Sequence, residues 1–409
     1  MNLDIIFGPN TFTTAVTVFA IVVVAVIFFA TVLSIFYQNI IYDAVYRPHF
    51  DPSFQPFCAI ILPCKGVPKD LKKNLASFVD LDYPSYKVIY TVESETDPAV
   101  PVIREVIEGH EDKASLVVAG YAKSCAQKNF NQLAAIEQAG DAEVYVFADA
   151  DIGPSNEWLQ ELVLPLSNNS ITATTGFRWQ YSPNGTIGEQ VHSYINNLLY
   201  IIFNFASSVL KIGLWGGSMA MRREDFEQLE VAKRWSETVV DDISLSQIIA
   251  KKRRKAILVP ACVTNTDDSL PSVRQGIRWF ERQTMFLKAY HKITWTFLAI
   301  PIAAAVLALQ LWLPISLVIA NFSSYDFFDI GGAASLMVNA GLALSVLLYP
   351  LLGKNPRFYG FLFLQPFSLF SLLIGVIRTL FTNTITWSGV EYKLTFTGKV
   401  ASVTRPDQP

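Results

Sequence analysis

Phe147-Ala148-Asp149-Ala150-Asp151-Ile152 decides how this chain is read. The stretch follows Val144-Tyr145-Val146, an apolar run that reads as a strand buried on both faces. Side chains alternate along a strand, so two acids one residue apart point to the same side. At the carboxyl end of a parallel strand they stand where open α/β sheets bind ligands. Carboxylates that close repel one another unless a cation intervenes, and oxygen donors suit Mg²⁺ or Mn²⁺. Alone, Asp149-x-Asp151 reads first as an ordinary solvated strand-end turn, and its surroundings must decide.

Of 409 residues 51% are hydrophobic and 16% charged. That is too apolar for an ordinary soluble enzyme and too charged for a chain buried in membrane throughout. The apolar residues gather at the two ends. No charged residue lies between Asp4 and Asp43, and residues 11–37 exceed the roughly 20 needed to cross a bilayer. A signal peptide has a basic start and a shorter apolar core, so this segment reads as an uncleaved anchor. Residues 295–322, 333–352 and 358–381 repeat the apolar signal. The domain boundaries follow: anchor 1–48, globular domain 49–290, membrane helices 291–382 and tail 383–409. A net charge of −3 argues against nucleic acid as a partner. Cys58, Cys64, Cys125 and Cys262 form no C-x-x-C, and the four histidines are scattered, which excludes a zinc framework.

Between the apolar ends, strands alternate with helices. Strands are expected at 57–62, 86–92, 116–119, 144–148 and 171–179, with helices at 69–78, 129–137 and 157–166. That alternation predicts a parallel, doubly wound sheet, although neither G-x-G-x-x-G nor a Walker loop is present. Residues 190–210 mix apolar groups with His192, Asn196, Asn197 and Asn204, and read either as a core helix or as one lying in the membrane interface.

Further motifs follow downstream. Trp215-Gly216-Gly217-Ser218 is a loop that can approach a sugar closely, or a turn before a strand. Asp241-Asp242 opens a helix over 243–249, where acids commonly act as caps. Lys251–Lys255 is a basic run at that helix's end, read as solvated or as touching anionic headgroups. Gln275 and Arg278, three apart on a helix beside Trp279, share a face that suits a diphosphate or a bilayer surface.

Taken together, the acidic loop Glu93-Ser94-Glu95-Thr96-Asp97, Asp149-x-Asp151, Asp242 and Gln275-x-x-Arg278-Trp279 resemble, in order and spacing, the family 2 glycosyltransferases of the GT-A fold. Leu62-Pro63-Cys64-Lys65-Gly66-Val67, Leu81-Asp82-Tyr83-Pro84, Gly217-Ser218-Met219 and Thr384–Tyr392 narrow the resemblance to the ceramide glucosyltransferase branch, over nearly the whole chain. It implies a Rossmann-like, mostly parallel sheet between an N-terminal transmembrane helix and a C-terminal helical membrane region. It implies a UDP-sugar donor, Mg²⁺ or Mn²⁺, and a lipid acceptor, ceramide or diacylglycerol. By the same resemblance Asp242 is the general base, and Asp151 with Asp149 holds the metal. Donor binding falls to Lys65, Asp97 or Glu93, Asp149, Gln275, Arg278 and Trp279. Two acids at the second motif, where animal members carry one, point to a bacterial inner membrane. Lys354 and Arg357, between the last two apolar segments, put the catalytic domain on the cytoplasmic side. A cytoplasmic tail then requires 358–381, broken by Pro366, to be re-entrant or interfacial. A processive polysaccharide synthase shares the four motifs but needs more membrane helices, and a dead scaffold has no reason to keep repelling carboxylates.

Overall fold

The computed structural model describes residues 9–180, 185–266, 270, 272–322, 332–352 and 360–405. Among them, seven strands build the central sheet: β1 (Cys58–Pro63), β2 (Tyr86–Val92), β3 (Ala114–Val118), β4 (Val144–Ala148), β5 (Ala173–Gln180), β6 (Ser218–Arg222) and β7 (Ala256–Thr266). Their order is β3-β2-β1-β4-β6-β5-β7. All neighbours pair in parallel except β6, which runs antiparallel between β4 and β5. The mostly parallel α/β fold expected from the alternation of elements is therefore present.

β4 shows why an unbroken apolar run is required. Val144, Val146 and Ala148 enter a core with Phe78 and Trp158, while Tyr145 and Phe147 enter the core on the opposite face with Phe226 and Trp235. Both faces are covered by helices, so neither parity can be polar. β7 is unexpected from the sequence, because Pro260 in its middle argues against a strand. The sheet absorbs it with a register shift: Thr175 faces Leu258, and pairing resumes only at Phe177 with Val263.

The segment that reads as either core or interfacial is the helix Ile187–Ser208, and one side of it is buried in the core. Its polar side chains turn inward. Asn197 exchanges hydrogen bonds with the backbone of Gln180, and Asn196 donates to the Arg178 carbonyl. Ile187 and Ile202 stand exposed on the other side.

Two helices among the described residues are long and apolar enough to cross a bilayer, Thr17–His49 and Gly332–Leu351. They pack closely: a Cβ on Gly341 would lie 2.6 Å from Val24. Val18, Val22, Val26 and Phe29 line the outward side of the first helix, spaced as one helical stripe. The helix Gly360–Leu380 is continuous and lies along the helices Val273–Tyr290 and Ile187–Ser208. Lys354 and Arg357, on which the sidedness expectation rests, lie outside the described residues.

The tail forms a second sheet of β8 (Thr384–Trp387), β9 (Val390–Leu394) and β10 (Val400–Thr404). Ile385, Val390 and Tyr392 pack with Val239 and with Phe286 and Tyr290 of the helix Val273–Tyr290.

Candidate active site

β4 ends at Ala148, and the chain turns at Ala150-Asp151. The alternation expected to put Asp149 and Asp151 on one face therefore stops one residue too early. Each acid instead has its own cation. Asp149 Oδ1 lies 2.7 Å from Lys128 Nζ, and Asp151 Oδ2 lies 3.0 Å from Arg178. The other Asp151 oxygen is buried without a hydrogen-bond partner. Burial raises the Asp151 pKa, Arg178 pulls it down and Asp149 pushes it up, leaving the group above the usual carboxylate range.

Lys128 comes from the first turn of the helix Gln127–Glu137. Its ammonium also lies 3.1 Å from Asp241 Oδ2 and donates to the Gly216 carbonyl at 3.2 Å, so all three protons are used. Burial opposes its charge, but Asp149 and Asp241 outweigh burial and hold it protonated. Asp241 also accepts from Gln132 at 2.9 Å. Burial pushes Asp241 up, and Lys128 and Gln132 pull it further down, below its ordinary value.

Asp242, the first residue of the helix Asp242–Lys251, stays partly exposed. Its two oxygens accept the Gly216 N–H at 2.8 Å and the Ile243 N–H at 2.6 Å. Burial and the neighbouring Asp241 charge push its pKa up to about 7. The two carboxyls thus divide: Asp241 is an ionised anchor, and Asp242 titrates near neutrality. Gly216 makes this possible, since a Cβ there would sit 2.6 Å from Asp241 Oδ2. The next residue, Gly217, accepts the Asp149 N–H at 3.1 Å. The glycine loop is thereby tied to both acid motifs.

A cleft of about 570 Å³ opens beside Asp151, lined also by Lys69, Lys73, Arg178, Trp279 and Arg282. Four cations against Asp70 and Asp151 make it net positive, as a diphosphate requires. Asp242, Asp97, Glu93 and Lys65 are not among its lining residues. Arg282 is the guanidinium that spacing does not single out. Burial and Arg178 push its pKa down to about 10 against the pull of Asp149 and Asp151, and its Nε is buried without a hydrogen-bond partner. Trp279 stands edge-on to His192 at 4.4 Å and under the Arg178 guanidinium at 5.9 Å. On this helix the cleft-facing pair is Trp279 and Arg282. Gln275 and Arg278 share the exposed face, where Gln275 forms a capping box with Ser272.

The remaining expected residues lie at the loops after β1 and β2. Lys65 pairs with Glu93 at 2.6 Å. Asp97 accepts the backbone N–H groups of Gly66 and Ala99 at 2.8 and 2.9 Å. Asp97 thus ties two loops together, whereas the second Glu93 oxygen is buried without a partner.

The tail reaches the site through the helix carrying Lys128. The Gln127 N–H donates to Tyr392 Oη at 3.1 Å, Arg405 donates to the Gln127 side chain at 2.6 Å, and Trp387 lies 5.2 Å from the Arg282 guanidinium.

Known proteins resemble the chain in sequence and in fold. The family model described as Glycosyl transferase family 21 matches residues 25–400. Ceramide glucosyltransferase 1 of Caenorhabditis elegans is 21% identical over 395 residues, spanning 92% of this chain and 79% of its own. The solved mannosyltransferase PcManGT from Pyrobaculum calidifontis, in complex with GDP-Man and Mn²⁺, superposes with a TM-score of 0.52 at 17% identity, covering 90% of this chain and 99% of its own.

Proposed function

Because the chain belongs to glycosyl transferase family 21, we propose that it transfers a hexose, glucose by preference, from a UDP-sugar to the hydroxyl of a membrane lipid, with inversion at the anomeric carbon. Ceramide is the first acceptor class and diacylglycerol the second. The observation that carries the reading is Asp242, a reachable carboxyl with a pKa pushed to about 7 and both oxygens oriented by backbone N–H donors. A hydroxyl is a poor nucleophile at neutral pH, and a base tuned near 7 is suited to take its proton as the glycosidic bond forms. Acting opposite the leaving group, that base gives inversion.

The leaving nucleoside diphosphate gains charge in the transition state. Arg178 and Arg282, with Lys69 and Lys73, supply positive charge along the cleft that would receive it. The nematode relative supports the lipid acceptor, and the GDP-Man and Mn²⁺ of the mannosyltransferase support a nucleotide-sugar donor with a divalent metal. Asp151, with one buried oxygen unpartnered, and Asp149 are the residues that would hold Mg²⁺ or Mn²⁺. Bound there, the ion would neutralise diphosphate charge. Lys65 and Glu93 are assigned to the nucleoside end, with Asp97 fixing their loop, and Gln275 and Arg278 to the approach of the acceptor. Two long apolar helices fit an acceptor that never leaves the bilayer, and the catalytic domain is assigned to the cytoplasmic face.

The test is mass spectrometry of lipids after incubating purified protein with UDP-glucose and UDP-galactose, each with ceramide and with diacylglycerol. Hexosylceramide from UDP-glucose, reduced on the order of 10²-fold or more with Asp242→Asn, is expected. No hexosyl lipid from any of the four mixtures would overturn the reading.

A further inference from the structure

Lys251-Lys252-Arg253-Arg254-Lys255 takes no part in the site described above. All five side chains are exposed, and among the described residues none makes an ion pair. That sets them apart. Elsewhere the exposed cations are commonly matched: Lys72 with Glu105, Arg104 with Glu95, Arg223 with Glu227, Lys233 with Glu230, and Lys399 with Glu237. Five adjacent like charges repel one another, and a negative surface brought against them would relieve that repulsion.

Their position indicates which surface. The Ala256 N–H, next along the chain, donates to the Lys211 carbonyl at 2.7 Å. Lys211 is in the left-handed region at φ 58°, with its ammonium 4.2 Å from the Tyr46 ring and 5.4 Å from Tyr37. Both tyrosines belong to Tyr37–Tyr46, the segment that directly follows the apolar helix Pro9–Phe36. The Lys211 Nζ has no hydrogen-bond partner, and burial together with Lys255 pushes its pKa down to about 8. Immediately before it, Val209 and Leu210 are exposed, as are Ile40 and Val45 across the junction. Unpaired cations therefore border exposed apolar side chains at the root of the apolar helix. This is the arrangement of a headgroup-level contact, with apolar groups dipping in and ammonium and guanidinium groups at the phosphate plane.

We propose that Lys251–Lys255, with Lys211 beneath, forms a seat for the anionic phospholipid surface of the bilayer that holds the apolar helices. The seat lies at one end of the helix Ile187–Ser208, whose other end carries His192 into the cleft. Spanning about 33 Å at 1.5 Å per residue, that helix works as a beam. Fixing its far end to the membrane sets how the cleft is presented to the bilayer.

The test uses the full chain in nanodiscs of phosphatidylcholine alone or with phosphatidylglycerol. The four native cysteines are buried, so a Lys252→Cys variant takes an environment-sensitive dye at one place. Headgroup-labelled quencher lipid should quench the dye in phosphatidylglycerol discs, and high salt should reverse the quenching. Changing Lys251, Arg253, Arg254 and Lys255 to Gln in that background should also abolish it, each lost cation weakening the attraction about fivefold. If the Gln variant fails to fold, salt reversal in the dye-bearing Lys252→Cys protein decides the same question. Equal quenching in both kinds of disc would overturn the proposal, as would none in either. Millimolar inorganic phosphate reproducing the dye response in phosphatidylcholine discs would make this a free-phosphate site, and that too would overturn it.

Discussion

Lys128 places its ammonium 2.7 Å from Asp149, and the same nitrogen reaches Asp241 at 3.1 Å. One buried cation therefore joins the acid motif at the end of β4 to the acid pair at the start of the Asp242–Lys251 helix. Without it, the buried Asp241 and the partly buried Asp149 would lose the cation they share. Lys128→Met should destabilise the domain by about 3–5 kcal/mol, the usual cost of removing one partner of a buried pair. Calorimetry of the purified variant measures this, and a loss well below 1 kcal/mol would mean that the acids find other partners.

The same cation lowers the pKa of Asp242, while burial and Asp241 raise it to about 7. Asp242 works as a base only when ionised, so kcat/KM should climb as pH rises through about 7. In a milder variant, Lys128→Gln, that acid limb should move to higher pH, since a positive neighbour has been lost. The sign for stability is opposite to that for activity. A carboxyl whose folded pKa is raised contributes stability below its unfolded value of about 4, and loses it as pH rises toward about 7. A pH–rate profile with a fixed acid limb in both proteins would exclude Asp242 as the titrating base.

Asp242→Asn should cost on the order of 10²–10⁴ in turnover, the range for losing a positioned base. UDP binding, measured by calorimetry, should stay within a few-fold. Near-normal turnover would reassign the base.

Gly216→Ala probes the same geometry without touching a charge. The added methyl would fall 2.6 Å from Asp241 Oδ2, a distance no Cβ tolerates, and Asp241 is clamped by Lys128 and Gln132. Either the glycine loop or Asp241 must move. In both cases the Gly216 N–H is displaced from Asp242, so kcat should fall at least tenfold while the apolar core of β4 keeps its melting cooperativity. Unchanged kcat would show that the loop relaxes freely.

Much of this is readable in the sequence because buried parallel strands leave little choice of residue. Val144–Ala148 and Tyr86–Val92 coincide with their strands, and Asp149 and Glu93 come next along the chain. The failures have local causes. Asp149 and Asp151 are placed on one face by a period that holds only while the strand lasts, and the strand ends at Ala148. Lys128, between Gln127 and Asn129, resembles a solvated helix residue, because nothing in its own neighbourhood announces partners contributed by β4 and by residue 241. Arg282 escapes notice when helical spacing is counted from Gln275, which caps the helix and faces solvent. A count from Trp279 finds Arg282 three residues on, along the cleft. The tail's β8–β10 sheet follows a long apolar helix in short alternating runs, and only its contact with Val239 and Tyr290 gives it a place.

That contact makes the tail a support for the site. Tyr392 Oη accepts the N–H of Gln127, the residue before Lys128, and both groups are buried. Tyr392→Phe leaves that N–H unsatisfied at a cost of about 1–3 kcal/mol. The expected result is a small drop in melting temperature with a larger loss of kcat than of donor affinity, because Lys128 moves with its helix. Loss of stability with kcat intact would make Tyr392 merely a packing residue.

The last prediction concerns the metal and separates Asp151 from Asp149. Asp149 Oδ1 also holds Lys128, so Asp149→Asn should unsettle the fold as well as the activity. Asp151 has a buried oxygen without a partner, and its other oxygen meets only Arg178. Asp151→Asn should therefore fold with a melting temperature near that of the parent yet lose donor-dependent metal binding. Mn²⁺ binding in the presence of UDP, followed by electron paramagnetic resonance, reads this directly. Exhaustive chelation should abolish turnover in the parent, and added Mg²⁺ or Mn²⁺ should restore it. Arg178 and Arg282 alone would then be too little positive charge for the departing diphosphate. Turnover that survives chelation would reverse that conclusion, and the arginine pair would be the whole of the charge stabilisation.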